Sequence, residues 1–211
     1  MKNKDLLYYD GARFDLLPHI PNNAKNILDI GCGTGATGLA IKSKLNNNIE
    51  VIGVELNAEA GELAKDKIDQ IIIGNIEEVN LSFAPGYFDC ILYADILEHL
   101  IDPWKVLANH KYLLANDGCI IASIPNIANY KIIRMLKKGL WEYKNAGIMD
   151  RTHLRFFTKK TISEMFITSG YNPEIVDKIL SKNNFWLLMH KLFNSDKCVI
   201  QFIIKATKKV N

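Results

Sequence analysis

Short apolar runs alternate with helix-length segments along most of this chain. Each run spans four to eight residues, is rich in isoleucine, valine or leucine, and meets glycine, asparagine or proline at one end or both. Such runs are typical of parallel strands that are buried on both faces. We therefore predict an α/β fold with a doubly wound, mostly parallel sheet and helices on both faces. The predicted strands are 26–30, 49–54, 70–73, 87–94 and 119–124, and the predicted helices are 35–45, 58–67 and 103–114.

Helix-capping residues mark several of these boundaries. Asparagine, aspartate and threonine side chains accept hydrogen bonds from the first helical turn, and glycine commonly follows the last. Two further apolar runs, 173–180 and 198–207, lie near the end of the chain, and the second is predicted to be a terminal strand. The capping residues are Asn57, Asp102 (followed by Pro103), Thr158 and Gly170.

Two segments lie outside this alternation near the ends of the chain. Residues 1–22 form a lead-in that is predicted to be partly helical over 4–17 and to be stopped by Pro18 and Pro21. Residues 184–193 have the pattern of a helix whose apolar face could belong to the core, to a substrate wall or to a dimer contact.

The segment 126–149 also interrupts the alternation of strands and helices. Its 131–138 stretch is apolar and flanked by basic residues, which is compatible with an ordinary amphipathic helix packed on the sheet. However, it leaves the carboxyl end of the fifth strand, where doubly wound sheets bind ligands. We therefore favour a lid over the substrate, within a single domain covering 1–211.

Composition excludes several classes of function. The chain is 48% hydrophobic and 23% charged, and its net charge of +3 is too small to indicate nucleic-acid binding. No signal peptide or apolar stretch long enough to span a membrane is evident, so we expect a soluble, cytoplasmic protein. The four cysteines lack metal-ligand spacing and are predicted to be reduced: Cys32, Cys90, Cys119 and Cys198.

A glycine-rich stretch follows the first predicted strand. Glycine allows positive φ and the close approach of a ligand to the backbone, and the next helix contributes unpaired N–H groups at its start. Gly33, Gly35 and Gly38 match the dinucleotide fingerprint formally. However, Gly31 already ends the strand, and Asp29 lies where its carboxylate would repel a pyrophosphate and attract an ammonium group. A nucleoside site is therefore predicted, with an NAD(P)-binding oxidoreductase as the alternative.

Three strings resemble one enzyme family. Residues 28–35 (Leu-Asp-Ile-Gly-Cys-Gly-Thr-Gly) resemble the first motif of class I S-adenosylmethionine-dependent methyltransferases. Residues 94–100 resemble a string of the ubiquinone-type O-methyltransferases, with Asp95 in place of the first Glu, and residues 150–158 resemble the His-x-x-x-Phe stretch of the same group. The resemblance covers about residues 5–180 and implies a Rossmann-like, seven-stranded sheet whose last strand is antiparallel.

The resemblance implies a set of residues that bind S-adenosylmethionine. Asp29 would neutralise the methionine ammonium group, Glu55 would bind the ribose hydroxyls, and Asn75 stands where the family usually has an aspartate that reaches the adenine amino group. The remaining implied residues are the glycine loop (Gly31, Cys32, Gly33, Gly35) and Ala94 at the amino-acid end, and Leu56 and Ile76 at the adenine.

Two histidines are the candidate catalytic residues on the acceptor side. Neutral imidazole can act as a general base near pH 7, which makes His99 and His153 candidates for deprotonating an acceptor hydroxyl. Asp95, Glu98 and His99 fall within one predicted helical turn, and together with His153 they have the chemistry of a divalent-cation site. In related enzymes a similar set binds metal. The sequence favours the alternative, in which the acids serve the helix dipole and His99 bonds to a carbonyl.

The predicted function is methyl transfer by in-line displacement to a small-molecule, sugar or lipid-linked acceptor, with a hydroxyl favoured. No nucleic-acid partner is expected. Two alternatives stay open besides: the NAD(P)-binding oxidoreductase, and a catalytically silent protein that binds S-adenosylmethionine.

Overall fold

The computed structural model describes residues 9–45, 48–181 and 195–209, together with Leu6 and Leu188. Within these residues seven strands form one sheet in the order β3-β2-β1-β4-β5-β7-β6. The strands are β1 (Asn26–Ile30), β2 (Glu50–Glu55), β3 (Gln70–Ile73), β4 (Phe88–Ala94), β5 (Leu114–Pro125), β6 (Tyr171–Leu180) and β7 (Val199–Lys208). The helices are α1 (Ala36–Lys44), α2 (Ala58–Ala64), α3 (Pro103–His110), α4 (Tyr130–Leu136) and α5 (Lys159–Thr168).

The strand directions confirm the predicted architecture. Strands β1 to β5 pair in parallel, and β7 lies antiparallel between β5 and β6. The parallel strands therefore end at one edge of the sheet, which we call the carboxyl edge. Asp29 is paired with Gly53 and with Leu92, so the last residues of β1 lie between the ends of β2 and β4.

Both faces of the sheet are buried, and this explains the continuous apolar runs. Ile27 belongs to the core cluster on one face, which also contains Ile41 of α1. Its neighbour Leu28 belongs to the cluster on the other face, together with Phe166 of α5 and other aromatic side chains. Because successive side chains of a strand point to opposite faces, a strand covered on both faces needs apolar residues at every position.

The predicted caps are confirmed at three helices. The Asn57 side chain accepts from the Ala60 N–H, and the Asp102 side chain accepts from the Lys105 N–H. Thr158 forms a capping box with Thr161. These bonds satisfy N–H groups that have no partner inside the helix.

Several sequence-based boundaries were wrong. Helix α2 ends at Ala64 instead of 67, and helix α3 ends at His110 instead of about 114. Strand β5 begins at Leu114 instead of 119, so the stretch 116–118, which has the composition of a turn, is part of the strand. The pairing of β4 with β5 shifts register between Phe88 and Cys90, which accommodates this irregular start. Pro18 does not stop a helix but lies inside a 3₁₀ turn, Leu17–His19.

The helix predicted at 184–193 lies outside the described residues except for Leu188. Among the described residues, no helix combines the length and apolar character needed to cross a membrane.

Candidate functional site

A glycine loop connects β1 to α1 at the carboxyl edge. Gly31, Gly33 and Gly35 all have positive φ, between 56° and 78°. The Gly31 N–H donates to the Val54 carbonyl at 2.7 Å, which ties the loop to the end of β2. A Cβ at Gly33 would lie 2.4 Å from the backbone carbonyl oxygen of Tyr9. Gly33 is therefore buried against the lead-in, with no room for a side chain at this position.

The lead-in covers this loop. The Tyr9 carbonyl accepts from the Thr34 N–H at 3.1 Å, and the Thr34 hydroxyl donates to Asp10 at 2.6 Å. Further along, the Arg13 N–H donates to the Thr37 hydroxyl at 3.1 Å. Residues 9–13 are thus fixed across the glycine loop by backbone and side-chain hydrogen bonds.

Replacing Gly33 with alanine is expected to lower the free energy of unfolding by about 1–3 kcal/mol, because the new methyl group would collide with the Tyr9 carbonyl in a left-handed conformation. Gly11 in the same lead-in is the matched control, since a Cβ there meets nothing within 4 Å and its φ is not positive. Chemical denaturation of both variants checks this prediction. Equal stability of G33A and G11A would show that the lead-in does not pack on the loop.

Two carboxylates lie side by side at the ends of β1 and β2. Asp29 is only 1% exposed, and its Oδ2 atom has no hydrogen-bond partner among the described residues. Burial, reinforced by the charge of Glu55, raises the pKa of Asp29 to about 7. A buried carboxylate oxygen without a donor is costly, and a cationic ligand would remove that cost.

Glu55 has a structural role in addition to the predicted one. Its Oε2 atom accepts from the Gly33 N–H at 2.9 Å and its Oε1 atom accepts from the Asn57 N–H at 2.8 Å. Each carboxylate oxygen has a second acceptor site, so the two ribose hydroxyls can still be accommodated. Glu55 therefore holds the glycine loop and the start of α2 in place around the candidate site.

The remaining predicted cofactor residues differ in how they are placed. Leu56 is exposed beside Glu55, Ile76 is buried, and Ala94 is the last residue of β4. The Asn75 side chain is already engaged, because it accepts from the Glu77 N–H at 3.1 Å and donates to Glu78 at 3.2 Å. A contact from Asn75 to an adenine would compete with this local turn.

Asp95 is separated from the candidate metal ligands. It has a φ of 57°, the only positive value among the described non-glycine residues, and the turn that follows is a 3₁₀ helix, Leu97–His99, instead of the predicted helical turn from Asp95. Its carboxylate accepts from Arg13 of the lead-in and from Gln201 of β7. Arg13 also donates to Ser123 at 2.9 Å. Sequence reasoning missed Arg13 and Gln201, because no pattern marks a lone arginine or glutamine.

Glu98, His99 and His153 do come together, as predicted. One potential ligand atom from each residue lies within 4.8 Å of the others, and the two imidazole rings meet edge to face with centroids 4.6 Å apart. The Nδ1 atom of His99 lies 3.1 Å from the Thr152 carbonyl, and the Nδ1 atom of His153 lies 3.1 Å from the Ile148 carbonyl. A carbonyl can only accept, so both Nδ1 atoms donate, and in the neutral form of each ring the Nε2 atom carries the lone pair.

The Glu98 side chain has the fewest hydrogen-bond partners in this cluster. It is 1% exposed, and neither of its carboxylate oxygens has a hydrogen-bond partner among the described residues. Burial and the charge of Asp95 raise the pKa of Glu98 well above its ordinary value. Its backbone carbonyl accepts from the N–H groups of Leu154 and Arg155 at 2.8 and 2.9 Å, which fixes the loop between α4 and α5 against the turn after β4.

A family model described as a methyltransferase domain matches residues 8–175, which is most of the chain. The chain belongs to this family. The methyltransferase predicted from the sequence is thereby confirmed at the level of the family, and S-adenosylmethionine is the cofactor that this family implies. The buried Oδ2 atom of Asp29, which has no hydrogen-bond partner among the described residues, fits a ligand with an ammonium group.

Curated relatives of the methyltransferase act on different acceptors. A release factor glutamine methyltransferase of Fusobacterium nucleatum is 30% identical over 77% of this chain and 42% of its own length. A ubiquinone biosynthesis O-methyltransferase of Paraburkholderia phymatum is 29% identical over 59% of each chain. The chain therefore spans about two fifths to three fifths of these relatives.

Solved structures share the fold of the methyltransferase. The YcgJ protein of Bacillus subtilis has a TM-score of 0.66 at 19% identity, with 92% of this chain and 97% of that chain covered. A SAM dependent methyltransferase of Archaeoglobus fulgidus has a TM-score of 0.66 at 17% identity, with 95% and 96% covered. The predicted seven-stranded Rossmann-like fold is confirmed.

Proposed function

We propose that this methyltransferase transfers the methyl group of S-adenosylmethionine to a hydroxyl of a small-molecule, sugar or lipid-linked acceptor. The observation that carries the proposal is the orientation of two imidazoles, His99 and His153, whose Nδ1 atoms both face backbone carbonyls. Their Nε2 lone pairs can accept a proton. The similarity to a ubiquinone biosynthesis O-methyltransferase supports a hydroxyl acceptor.

In this proposal the residues of the chain align the cofactor with the acceptor and accept the hydroxyl proton. Asp29 would pair with the methionine ammonium group, and Glu55 would accept from the ribose hydroxyls. In the displacement the acceptor oxygen attacks the methyl carbon, the carbon–sulfur bond breaks, and the hydroxyl proton passes to an imidazole Nε2. Alignment can contribute about 7–11 kcal/mol to such a step, and a general base adds typically about 10²–10⁴-fold.

The same cluster has the donor set of a divalent-cation site. Two imidazoles and one carboxylate form a ligand set that several transition metals accept, and the two unpartnered oxygens of Glu98 fit this role. His99 and His153 donate their other N–H group to carbonyls, as metal-binding histidines commonly do. When bound, a cation would lower the pKa of an acceptor hydroxyl. Asp95 is no longer part of the proposed set, because it is bonded to Arg13 and Gln201.

Calorimetry and a product assay test the proposal. We expect S-adenosylmethionine to bind in the calorimeter and NAD not to bind. We expect release of S-adenosylhomocysteine with hydroxyl acceptors from a panel of phenols, sugars and lipid-linked alcohols, and none with a glutamine-containing peptide. Methylation of the peptide alone would contradict the hydroxyl assignment. Binding without turnover on any acceptor would favour a silent protein, and binding of NAD alone would favour an oxidoreductase.

Chelation separates the two ways of activating the hydroxyl. Turnover that is lost with a chelator and restored by Mg²⁺ or Mn²⁺ would support a cation at Glu98, His99 and His153. Unchanged turnover would leave the imidazoles as general bases without a metal.

A further inference from the structure

The segment 130–147 carries exposed apolar side chains beside the acceptor cluster. Of the fifteen large apolar side chains that are exposed among the described residues, seven lie in the stretches 101–104 and 136–154. The members on or beside this segment are Leu136 (49% exposed), Leu140 (43%), Trp141 (41%), Tyr143 (51%) and Leu154 (53%). Scattered exposed apolar residues are ordinary, but a contiguous group marks an interaction site.

The segment is fixed at both ends and exposed between them. At its start the Asn129 amide donates to the Val199 carbonyl at 2.9 Å, and Ile132 is buried. At its end Met149 is buried, and its carbonyl accepts from the Lys144 N–H at 2.7 Å. From 134 to 147 almost every residue is exposed.

The segment also carries a larger net positive charge than the chain as a whole. Five cations and a single anion, Glu142, lie between 131 and 144, which gives this stretch a net charge of +4, whereas the chain as a whole carries +3. The rest of the chain is therefore slightly acidic. The five cations are all exposed: Lys131, Arg134, Lys137, Lys138 and Lys144.

Ring contacts connect this surface to the acceptor cluster. Trp141 meets Phe156 edge to face with ring centroids 5.2 Å apart, and Phe156 lies 6.4 Å from the ring of His153. Leu154 follows His153 directly and is held by the Glu98 carbonyl. Only the side chains of Trp141 and Phe156 would thus separate a molecule on this surface from His153, one of the proposed proton acceptors.

We propose that the segment 130–147 docks on an anionic lipid surface, from which the enzyme takes a lipid-linked acceptor. Exposed leucines with tryptophan and tyrosine enter the boundary between headgroups and acyl chains, while lysine and arginine attract anionic headgroups. The exposed aliphatic side chains favour lipid over a nucleic acid, which gains from stacking and phosphate contacts but not from burying leucine. The choice of a lipid-linked acceptor rests on the proposed function, whereas the docking itself is independent of turnover.

Co-sedimentation of the full chain with phosphatidylcholine vesicles, with and without phosphatidylglycerol, tests this proposal. We expect binding only when phosphatidylglycerol is present, and weakening at high salt. The variant K137E/K138E should bind about 25-fold or more weakly, since each cation near such a surface contributes about fivefold. The control K65E/K160E makes the same charge change just after α2 and on α5 and should bind like the native chain.

A second pair of variants tests the apolar contribution. L140S/W141S should lose binding, whereas L63S/I167S removes similarly exposed apolar side chains elsewhere and should not. Brominated lipid should quench the tryptophan emission of the native chain more than that of W141F.

Several results would overturn the docking proposal. The first is that the chain does not bind phosphatidylglycerol vesicles. The second is that the control variants lose as much vesicle binding as the test variants. The third is that the chain binds a single-stranded RNA of matched charge more tightly than the vesicles. S-adenosylmethionine binding, measured on the same samples, separates the outcomes. If the chain binds the cofactor but not the vesicles, only the docking proposal is contradicted. If it does not bind the cofactor, the proposed function is contradicted.

Discussion

Replacing His153 with alanine is expected to lower the turnover number for methyl transfer by about 10²–10⁴-fold while leaving the affinity for S-adenosylmethionine unchanged. The ring is held by the Ile148 carbonyl and lies against His99, on the acceptor side of the site. The proposed cofactor contacts are instead made by residues at the ends of β1 and β2. The loss should therefore appear in kcat and leave the cofactor dissociation constant intact.

Steady-state kinetics and calorimetry on H153A and H19A check this expectation. His19 is the matched control, because it lies in the 3₁₀ turn of the lead-in and faces Asp177 of β6. An unchanged turnover number in H153A would remove this imidazole from the mechanism. Weaker cofactor binding in H153A, without loss of kcat, would place the cluster in the cofactor site.

A substitution of Glu98 tests whether this cluster holds a metal ion. E98Q keeps the size of the side chain but removes its charge, so it should abolish any dependence of turnover on added Mg²⁺ or Mn²⁺. If turnover of the native enzyme is independent of metal, the effect of E98Q should be much smaller than that of H153A, because the Glu98 carboxylate lies 3.9 Å from the His153 Nε2 atom and does not contact the acceptor in the proposed mechanism.

The cofactor side of the site could be predicted from sequence because it depends on local patterns. Ile27 and Leu28 are both apolar since each faces a different core cluster, and this identifies β1 as a buried parallel strand. Parallel strands that neighbour each other end at one edge, so acids that end two such strands must lie close together. Asp29 and Glu55 follow from this argument without any knowledge of long-range contacts.

The start of β5 could not be predicted in the same way. Asn116, Asp117 and Gly118 have the composition of a turn, and local propensity favours one. In the structure this stretch lies within β5 but is not in register with β4: Leu114 pairs with Phe88 and Cys119 pairs with Cys90, so residues 115–118 lie opposite Asp89 alone. The pairs on either side carry the strand across a stretch that local preference alone would make a turn.

The acceptor side was predicted only in part. His153 joins Glu98 and His99 because the loop between α4 and α5 bonds to the Glu98 carbonyl. Asp95 was expected on the same helical face, but its left-handed backbone and its bonds to Arg13 and Gln201 direct it elsewhere. Arg13 is 82 residues away in sequence, and no periodicity or motif connects the two.

Replacing Asp29 with asparagine is expected to weaken S-adenosylmethionine binding by about 10–150-fold, which corresponds to the loss of a hydrogen bond to a charged partner. The Asp29 carboxylate is buried and its Oδ2 atom has no hydrogen-bond partner in the described part of the chain, so the methionine ammonium group would be its counter-charge. Asparagine keeps the shape but cannot neutralise a cation. D117N makes the same change on an exposed residue of β5 and should bind the cofactor normally.

The same substitution should change the pH dependence of binding. The pKa of Asp29 is raised to about 7, so the cofactor-free protein holds a proton there at lower pH, and a cationic ligand must displace it. Affinity should therefore rise with pH through about 7 and fall again above about 8, where the ligand's α-ammonium loses its proton. D29N should lack the rising limb. Calorimetry between pH 5.5 and 9, roughly the range of these two groups, measures both limbs.

The free energy of unfolding of the cofactor-free protein should instead fall as the pH rises. The folded-state pKa of Asp29 lies above the ordinary value of 3.8, so its protonation favours the folded state, and this contribution is lost as the pH rises from about 4 to about 7. Each tenfold change in proton affinity is worth about 1.4 kcal/mol, so the ionised carboxylate destabilises the fold above pH 7 by up to about 4 kcal/mol. Asparagine removes that charge, and D29N should unfold at higher denaturant concentration than the native chain while binding the cofactor more weakly. A variant that lost both stability and affinity would show that Asp29 already has a partner inside the fold, and the argument for a cationic ligand at the end of β1 would fail.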